Sequence, residues 1–365
     1  MVYNVIGLMS GSSLDGLDIA FVRFEEIRGQ WSYQVIHSQC IPYEADLIHS
    51  LKHAAYAQVS DFLKLHTEYG RYIGKKINTF IEEHNIRHEV HFIVSHGHTV
   101  FHEPQNHTTC QIGDGSAIAA ITGLPVISDL RSLDVALGGQ GAPIVPIGDK
   151  LLFGNYDYWL NIGGIANITV PYNGSLLAFD VCPANKILNT LAENEGYIMD
   201  ENGAMAEEGT LLPDLRMDLN NAGYYKAQAP KSLSNETAME LVFPHLLESD
   251  HSTHDMLRTV VQLIADQVAD AVRKYPAGQE QATMLVTGGG AFNKFLVSEI
   301  EKAIAPMNVS ITVPDAVTVK FKEALIMALI GTLRWREETN TLSSVTGASR
   351  DSIGGAIWMG HSYNG

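Results

Sequence analysis

Three apolar runs in this chain break at clusters of glycine, serine and asparagine that can present bare backbone N–H groups to an anion. They are Gly11-Ser12-Ser13-Leu14-Asp15-Gly16-Leu17-Asp18, Asn161-Ile162-Gly163-Gly164-Ile165-Ala166-Asn167 and Thr287-Gly288-Gly289-Gly290. Glycine permits close approach to phosphoryl oxygens and dihedrals closed to other residues. The first two are followed by a second apolar run, not at once by a long helical pattern. They therefore read as strand–turn–strand, unlike the usual strand–loop–helix phosphate loop. Hydroxyls of Ser10, Ser12 and Ser13 can bind phosphoryl oxygens, and Asp15 and Asp18 can reach Mg²⁺ directly or through water. An ordinary hairpin, with Ser and Asp bonded to their own backbone, is the alternative. Repetition of the device weighs against it.

A second kind of chemistry is offered by Phe179-Asp180-Val181-Cys182-Pro183-Ala184-Asn185, where a carboxylate ends an apolar strand. Asp180 is a candidate general base held by a rigid element; the alternative is that it caps a helix starting at Pro183. Cys182 has no histidine fixed beside it and reads as packing. His96, His98 and His102 are spaced like metal ligands, but on a turning loop they need not converge. A polar wall for a sugar, or structural hydrogen bonding, suits them better. Arg131, between Asp129 and Asp134, can bind an anionic group through two donors or hold the glycine-rich loop in a buried pair with aspartate. The sequence leaves both open.

The elements that position these groups follow from periodicity. Apolar strands are expected at residues 2–9, 19–24 and 31–40, before a largely helical region over residues 43–83. In that region Phe62, Leu65, Tyr69, Ile73, Ile77 and Phe80 recur at steps of three or four. A strand–turn–strand–strand–helix pattern restarts at Tyr158, after a glycine- and proline-rich passage at residues 138–148. Val261, Ile264, Val268 and Val272 mark one face of a helix over residues 254–274. Helix is also expected over residues 321–337 and around Gly354-Gly355, and the alternation predicts α/β layers with largely parallel sheets.

A chain of 365 residues with 45% hydrophobic and 18% charged residues is ordered and long enough for two domains. Its formal charge of −17 and lack of a basic stripe exclude a nucleic-acid groove. The three cysteines are far apart and fit a reducing compartment. No signal peptide or membrane span is read, so a soluble cytoplasmic protein is expected.

The chain resembles the anhydro-N-acetylmuramic acid kinase family over essentially its whole length. The resemblance rests on Gly7 to Asp18, Ser95-His96-Gly97-His98-Thr99, Gln111 to Asp114 and Asp129 to Asp134. It continues through Gly138 to Pro143, Asn161 to Asn167, Thr287 to Asn293 and Val345 to Ala348. It implies an α/β, two-domain actin-like (ribonuclease H-like) ATPase fold with a central interdomain cleft. Residues 1–131 with about 350–365 would form one domain, on the sugar and γ-phosphate side. Residues 132–349 would form the other, carrying the nucleotide side and the catalytic aspartate. The implied activity uses ATP, Mg²⁺ and water to open 1,6-anhydro-N-acetylmuramic acid and phosphorylate O6 in cell-wall recycling.

By the same resemblance Asp180 is the base and Arg131 faces the sugar's carboxylate-bearing lactyl group. His96 and Thr99 line the sugar side. Gly11 to Asp18 cradle the γ-phosphate with Mg²⁺ near Asp15 and Asp18, Asn161, Gly163 and Gly164 face the other phosphates, and Gly288, Gly289 and Asn293 approach the adenosine. The small-molecule sugar is the partner and the state a homodimer. The chain departs from the family at Val181-Cys182-Pro183-Ala184, at Asn189 and at Leu233-Ser234-Asn235. Those departures motivate a rival, a kinase of the same superfamily acting on another sugar. A non-enzymatic ATP-binding conformational protein is the second rival.

Overall fold

The computed structural model describes residues 1–11, 13–247 and 251–360. In chain order its strands are β1 (Val2–Ser10), β2 (Gly16–Ile27), β3 (Gln30–Pro42), β4 (Phe92–Ser95), β5 (His98–Glu103), β6 (Thr108–Ile112) and β7 (Val126–Ser128). There follow β8 (Tyr158–Ile162), β9 (Ile165–Tyr172), β10 (Ser175–Pro183), β11 (Ala282–Thr287), β12 (Val309–Thr312) and β13 (Ala356–Trp358). The chain divides into two compact units, Met1–Phe153 with Phe321–Gly365, and Gly154–Lys320.

The first unit carries a sheet in the order β13-β7-β4-β1-β2-β3, the second one in the order β10-β9-β8-β11-β12. Written from the third strand of each, the orders coincide: an antiparallel three-strand meander, then two strands added parallel to the first. This is the duplicated, ribonuclease H-like arrangement expected of an actin-like chain. The sheets are mixed, not largely parallel as the alternation suggested. Two-residue and slightly longer turns at the glycine clusters can only return a strand antiparallel, because a parallel return needs a crossover.

The division differs from the boundaries read at residues 131 and 349. The helix Ala316–Trp335 explains it: Gly7 of β1 lies directly under Ala324 and Ala328, and Gly331 lies over Val94 of β4. With no Cβ at these glycines, helix and sheet approach closely, and Trp335 stacks on Phe92 at 5.0 Å. The sequence from Phe321 onward therefore belongs to the core of the first unit. Around Gly355 the expected helix is strand β13 instead. Gly355 takes φ +112°, and Trp358 donates from Nε1 to Ser128 Oγ at 3.1 Å as β13 pairs antiparallel with β7.

On the other face of the first sheet the helix Val59–His84 buries Tyr69, Ile73, Ile77 and Phe80, the stripe read from the sequence. In the second unit the helix Thr253–Lys274 buries Val261, Ile264, Val268 and Val272 against the β8–β12 sheet. No helix of the described residues is long and apolar enough to cross a membrane.

Candidate functional site

In the first unit the β1–β2 turn is pinned from beneath. Leu14, at φ +58°, and Leu17 are buried in the core, and the Leu14 N–H donates to Gly11 O at 3.3 Å. Their side chains anchor the turn and cannot touch a ligand. Gly16 is also structural, since a Cβ there would lie 2.5 Å from Ile41 O and 2.9 Å from Cys40 Sγ. At Gly11 the nearest atom to an added Cβ is Ser13 Oγ at 3.7 Å. The presented part of the turn is thus Gly11, Ser13 and exposed Asp15; Ser12 lies outside the described residues.

Asp18, on β2 opposite Met9, is half-buried, and its carboxyl is raised above the usual range by burial and by the charge of Asp15. Among the described residues no group of three or more His, Cys, Asp or Glu could hold a metal ion. Asp15 and Asp18, of which Asp18 also takes a hydrogen bond from Cys40, have the donor chemistry that suits Mg²⁺, which is usually held by one or two carboxylates together with substrate phosphates.

Behind the turn, Ser10 belongs to a buried chain of hydroxyls. Tyr43 donates to Ser10 Oγ at 2.8 Å and its hydroxyl lies 2.6 Å from Tyr69 Oη, while His98 Nδ1 is 3.3 Å from Ser10 Oγ. Burial holds the Tyr43 phenol far above its ordinary range and pushes Tyr69 up to about 12. His102 meets Thr109 Oγ1 at 3.0 Å. His96, His98 and His102 therefore serve three different partners.

Arg131 precedes the short helix Ser132–Ala136 and donates from Nε to His96 Nε2 at 2.8 Å. The Nε–H of a guanidinium can only donate, so His96 Nε2 must accept. The ring proton then sits on Nδ1, which lies 2.9 Å from Gly97 O and donates to it. His96 is 2% exposed, and burial, then Arg131, depress it to about 3, so the ring is neutral. With both nitrogens occupied, His96 stands behind Arg131, which favours the structural hydrogen bonding offered for these histidines over the sugar-wall role. Thr99 lies on β5 opposite Gln111, half-buried.

The loop role considered for Arg131 falls to Asp134 alone. Asp134 Oδ2 accepts from Gly141 N at 2.8 Å, and its Oδ1 accepts from Thr346 Oγ1 at 2.7 Å. No carboxylate of the described residues lies within ion-pair distance of Arg131, which burial lowers to about 10, opposed by the charge of Glu323. Nothing in the residue pattern pointed to Glu323 or to the buried Lys322–Asp149 pair, 2.7 Å apart. Burial raises Glu323, as does Asp18, while Arg131 and Lys322 draw it down. Lys322 and Glu323 come from the helix Ala316–Trp335, whose mostly apolar pattern conceals them.

In the second unit Asp180 sits at a register shift near the end of β10. Its backbone N–H donates to Lys231 O at 3.0 Å, Tyr224 donates to its carbonyl at 2.7 Å, and its Oδ2 accepts from Leu233 N at 2.8 Å. No described donor reaches the other carboxylate oxygen. Burial raises the carboxyl above the usual aspartate range, partly offset by the Leu233 bond. The helix Asn185–Glu193 is capped by Ala184 without a side-chain bond, which removes the helix-cap reading of Asp180; Pro183 ends β10 and does not start the helix. Cys182 is fully buried in the core, with its thiol pushed up by burial, in keeping with a packing role.

The β8–β9 turn is stitched to that helix. Ala184 N and Lys186 N donate to Gly164 O, and Asn185 N donates to Gly163 O. An added Cβ at Gly163, Gly164 or Gly289 would find no atom nearer than 3.4 Å, so these three carry open backbone. Gly288, at φ +81°, and Gly290 instead pack against Asn161 and Ile162, tying the third loop to the β8 end. Asn293 accepts from Leu296 N at 2.9 Å and caps the helix Lys294–Ile304.

A family model described as anhydro-N-acetylmuramic acid kinase matches residues 3–360. The Idiomarina loihiensis protein of that name is 33% identical over 367 residues, 98% of this chain and 99% of the other. Its Sulfurovum sp. counterpart is 33% identical over 369 residues, covering 97% and 98%. Among solved structures, the Clostridium difficile activator of 2-hydroxyisocaproyl-CoA dehydratase with bound ADPNP is 16% identical. It covers 92% of this chain and 96% of its own at a TM-score of 0.45. Schistosoma mansoni hexokinase complexed with glucose is 10% identical, covering 90% and 85% at a TM-score of 0.44.

Proposed function

The chain belongs to the anhydro-N-acetylmuramic acid kinase family, and on that premise we propose that it couples opening of 1,6-anhydro-N-acetylmuramic acid to phosphorylation of O6. Its general chemistry is that of an ATP-dependent sugar kinase. In the proposed reaction Asp180 takes a proton from water as the water oxygen bonds to the anomeric carbon. The C1–O6 bridge breaks, and O6 takes the γ-phosphoryl group of ATP. One proton is left on Asp180 for release to solvent, which balances the reaction.

The observation that carries this reading is the setting of Asp180. Leu233 fixes one carboxylate oxygen, the other has no partner among the described residues, and burial raises the basicity of the pair. Gly11, Ser13, Gly163, Gly164 and Gly289 would give ATP bare backbone, and Arg131 would receive the lactyl carboxylate. Gly288 and Asn293 would support the adenosine side through packing and capping. Mg²⁺, held through Asp15 and Asp18, would neutralise charge on the phosphates. A cytoplasmic homodimer completes the reading by family resemblance.

One observation favours a second reading. The donor to Asp180 comes from Leu233, inside a segment where the chain departs from its family, so a related sugar is the alternative substrate. The test incubates the protein with ATP, Mg²⁺ and the anhydro sugar beside a panel of hexoses and amino sugars. The reading expects a product heavier than the anhydro sugar by one water and one phosphoryl group. Turnover of another sugar alone would replace the substrate, and ATP binding without any product would overturn the kinase.

A further inference from the structure

We propose that His96 is a positioning residue: held as the Nδ1–H tautomer, it clamps Arg131 through Nε2 so that the guanidinium presents its two terminal nitrogens to a substrate carboxylate. The selectivity part rests on the substrate reading above; the clamp itself does not. Among the described residues Arg131 has no carboxylate partner at ion-pair distance, so its orientation is set by one directional bond to a buried, neutral ring. That ring is fixed in turn by the Gly97 carbonyl. Gly97 can supply it because the chain turns there at φ +73°, beside Ile112 of β6. The clamp adds no negative charge to Arg131, which Glu323 offsets only from beyond ion-pair distance, whereas a carboxylate in place of His96 would neutralise the fork before substrate arrived.

Titratable neighbours are consistent with a ring that stays neutral. Arg131 and His98 both disfavour its charged form, and a protonated ring would turn an N–H against the Arg131 Nε–H. The clamp therefore holds across the physiological range and is not a pH switch.

Two measurements test it. Long-range ¹H–¹⁵N correlation on histidine-labelled protein, with His96 assigned by its loss in His96→Gln, should find Nδ1 protonated and Nε2 bare from pH 5 to 9. An Nε2–H tautomer, or a ring that titrates in that window, overturns the clamp whether or not the substrate reading is correct. Kinetics compare 1,6-anhydro-N-acetylmuramic acid with its analogue lacking the lactyl group. His96→Leu should lower kcat/KM for the carboxylated sugar about 10- to 100-fold, mostly through KM, and collapse the preference over the analogue. His96→Gln, whose amide oxygen can accept the same N–H, should regain most of that preference. Equal losses on both sugars, without rescue, would reduce His96 to a structural residue. Absence of turnover by the unaltered protein would sink the substrate reading and leave the spectroscopic result to decide the clamp.

Discussion

Replacing Asp180 by Asn separates proton removal from architecture. The amide oxygen can still accept from Leu233 N, now 2.8 Å from Oδ2, and the backbone bonds to Lys231 and Tyr224 do not involve the side chain. What is lost is the base, which contributes about 10²- to 10⁴-fold, or roughly 3–5 kcal/mol of barrier. Stability should move the other way. The folded-state pKa of Asp180 is raised, so the folded protein binds the proton more tightly than the unfolded chain. The carboxylate's penalty is therefore absent below the unfolded pKa and fully present above the folded one. At pH 7 the Asn variant should melt at the same temperature or slightly higher. The assay is sugar turnover by coupled ADP release, with ATP affinity by calorimetry and melting by circular dichroism. Turnover within threefold of the parent, or loss of turnover only alongside loss of folding, would refute the reasoning. The acid limb of the parent's kcat/KM profile should lie above the ordinary aspartate range and vanish from the variant's residual activity.

Other positions give sharper structural outcomes. Lys322→Met leaves the Asp149 carboxylate buried without its ammonium and should cost about 3–5 kcal/mol by denaturant melt; adding Asp149→Leu should recover much of it. An unchanged midpoint in the single variant would remove the pair from the stability account. Gly16→Ala, pressed against Ile41 O, should destabilise by about 1–3 kcal/mol. Gly164→Ala, with its nearest neighbour at 3.7 Å, should leave the melt within about 0.5 kcal/mol and weaken ATP binding severalfold. Equal destabilisation by both glycine variants would refute the division into packed and presented glycines.

The doubled meander was legible because each glycine turn interrupts an apolar run that pairs back on itself, and the pattern recurs at Tyr158. The Val59–His84 and Thr253–Lys274 helices were legible from their stripes. Residues near Gly355 misled, since close-packed glycines accompany a terminal helix and an edge strand equally well. The helix Ala316–Trp335 was visible, but its allegiance to the first unit was not, because Gly7 and Gly331 reveal it only once paired in space. Within the site, Asp180 and Arg131 stood out by their places after strands. The partners that define them, Leu233 N and His96 Nε2, are 53 and 35 residues away in sequence and carry no spacing signal. Glu323 was hidden too, being the lone acid on a mostly apolar helix.

Everything turns on where water's oxygen goes once Asp180 has taken its proton. Run in H₂¹⁸O with ATP and the anhydro sugar, and quenched before anomeric exchange, the reaction should put one ¹⁸O at C1 of the sugar and none in its phosphate ester. Label in released inorganic phosphate, with the sugar unlabelled and its bridge intact, would make this chain an ATPase and contradict the account.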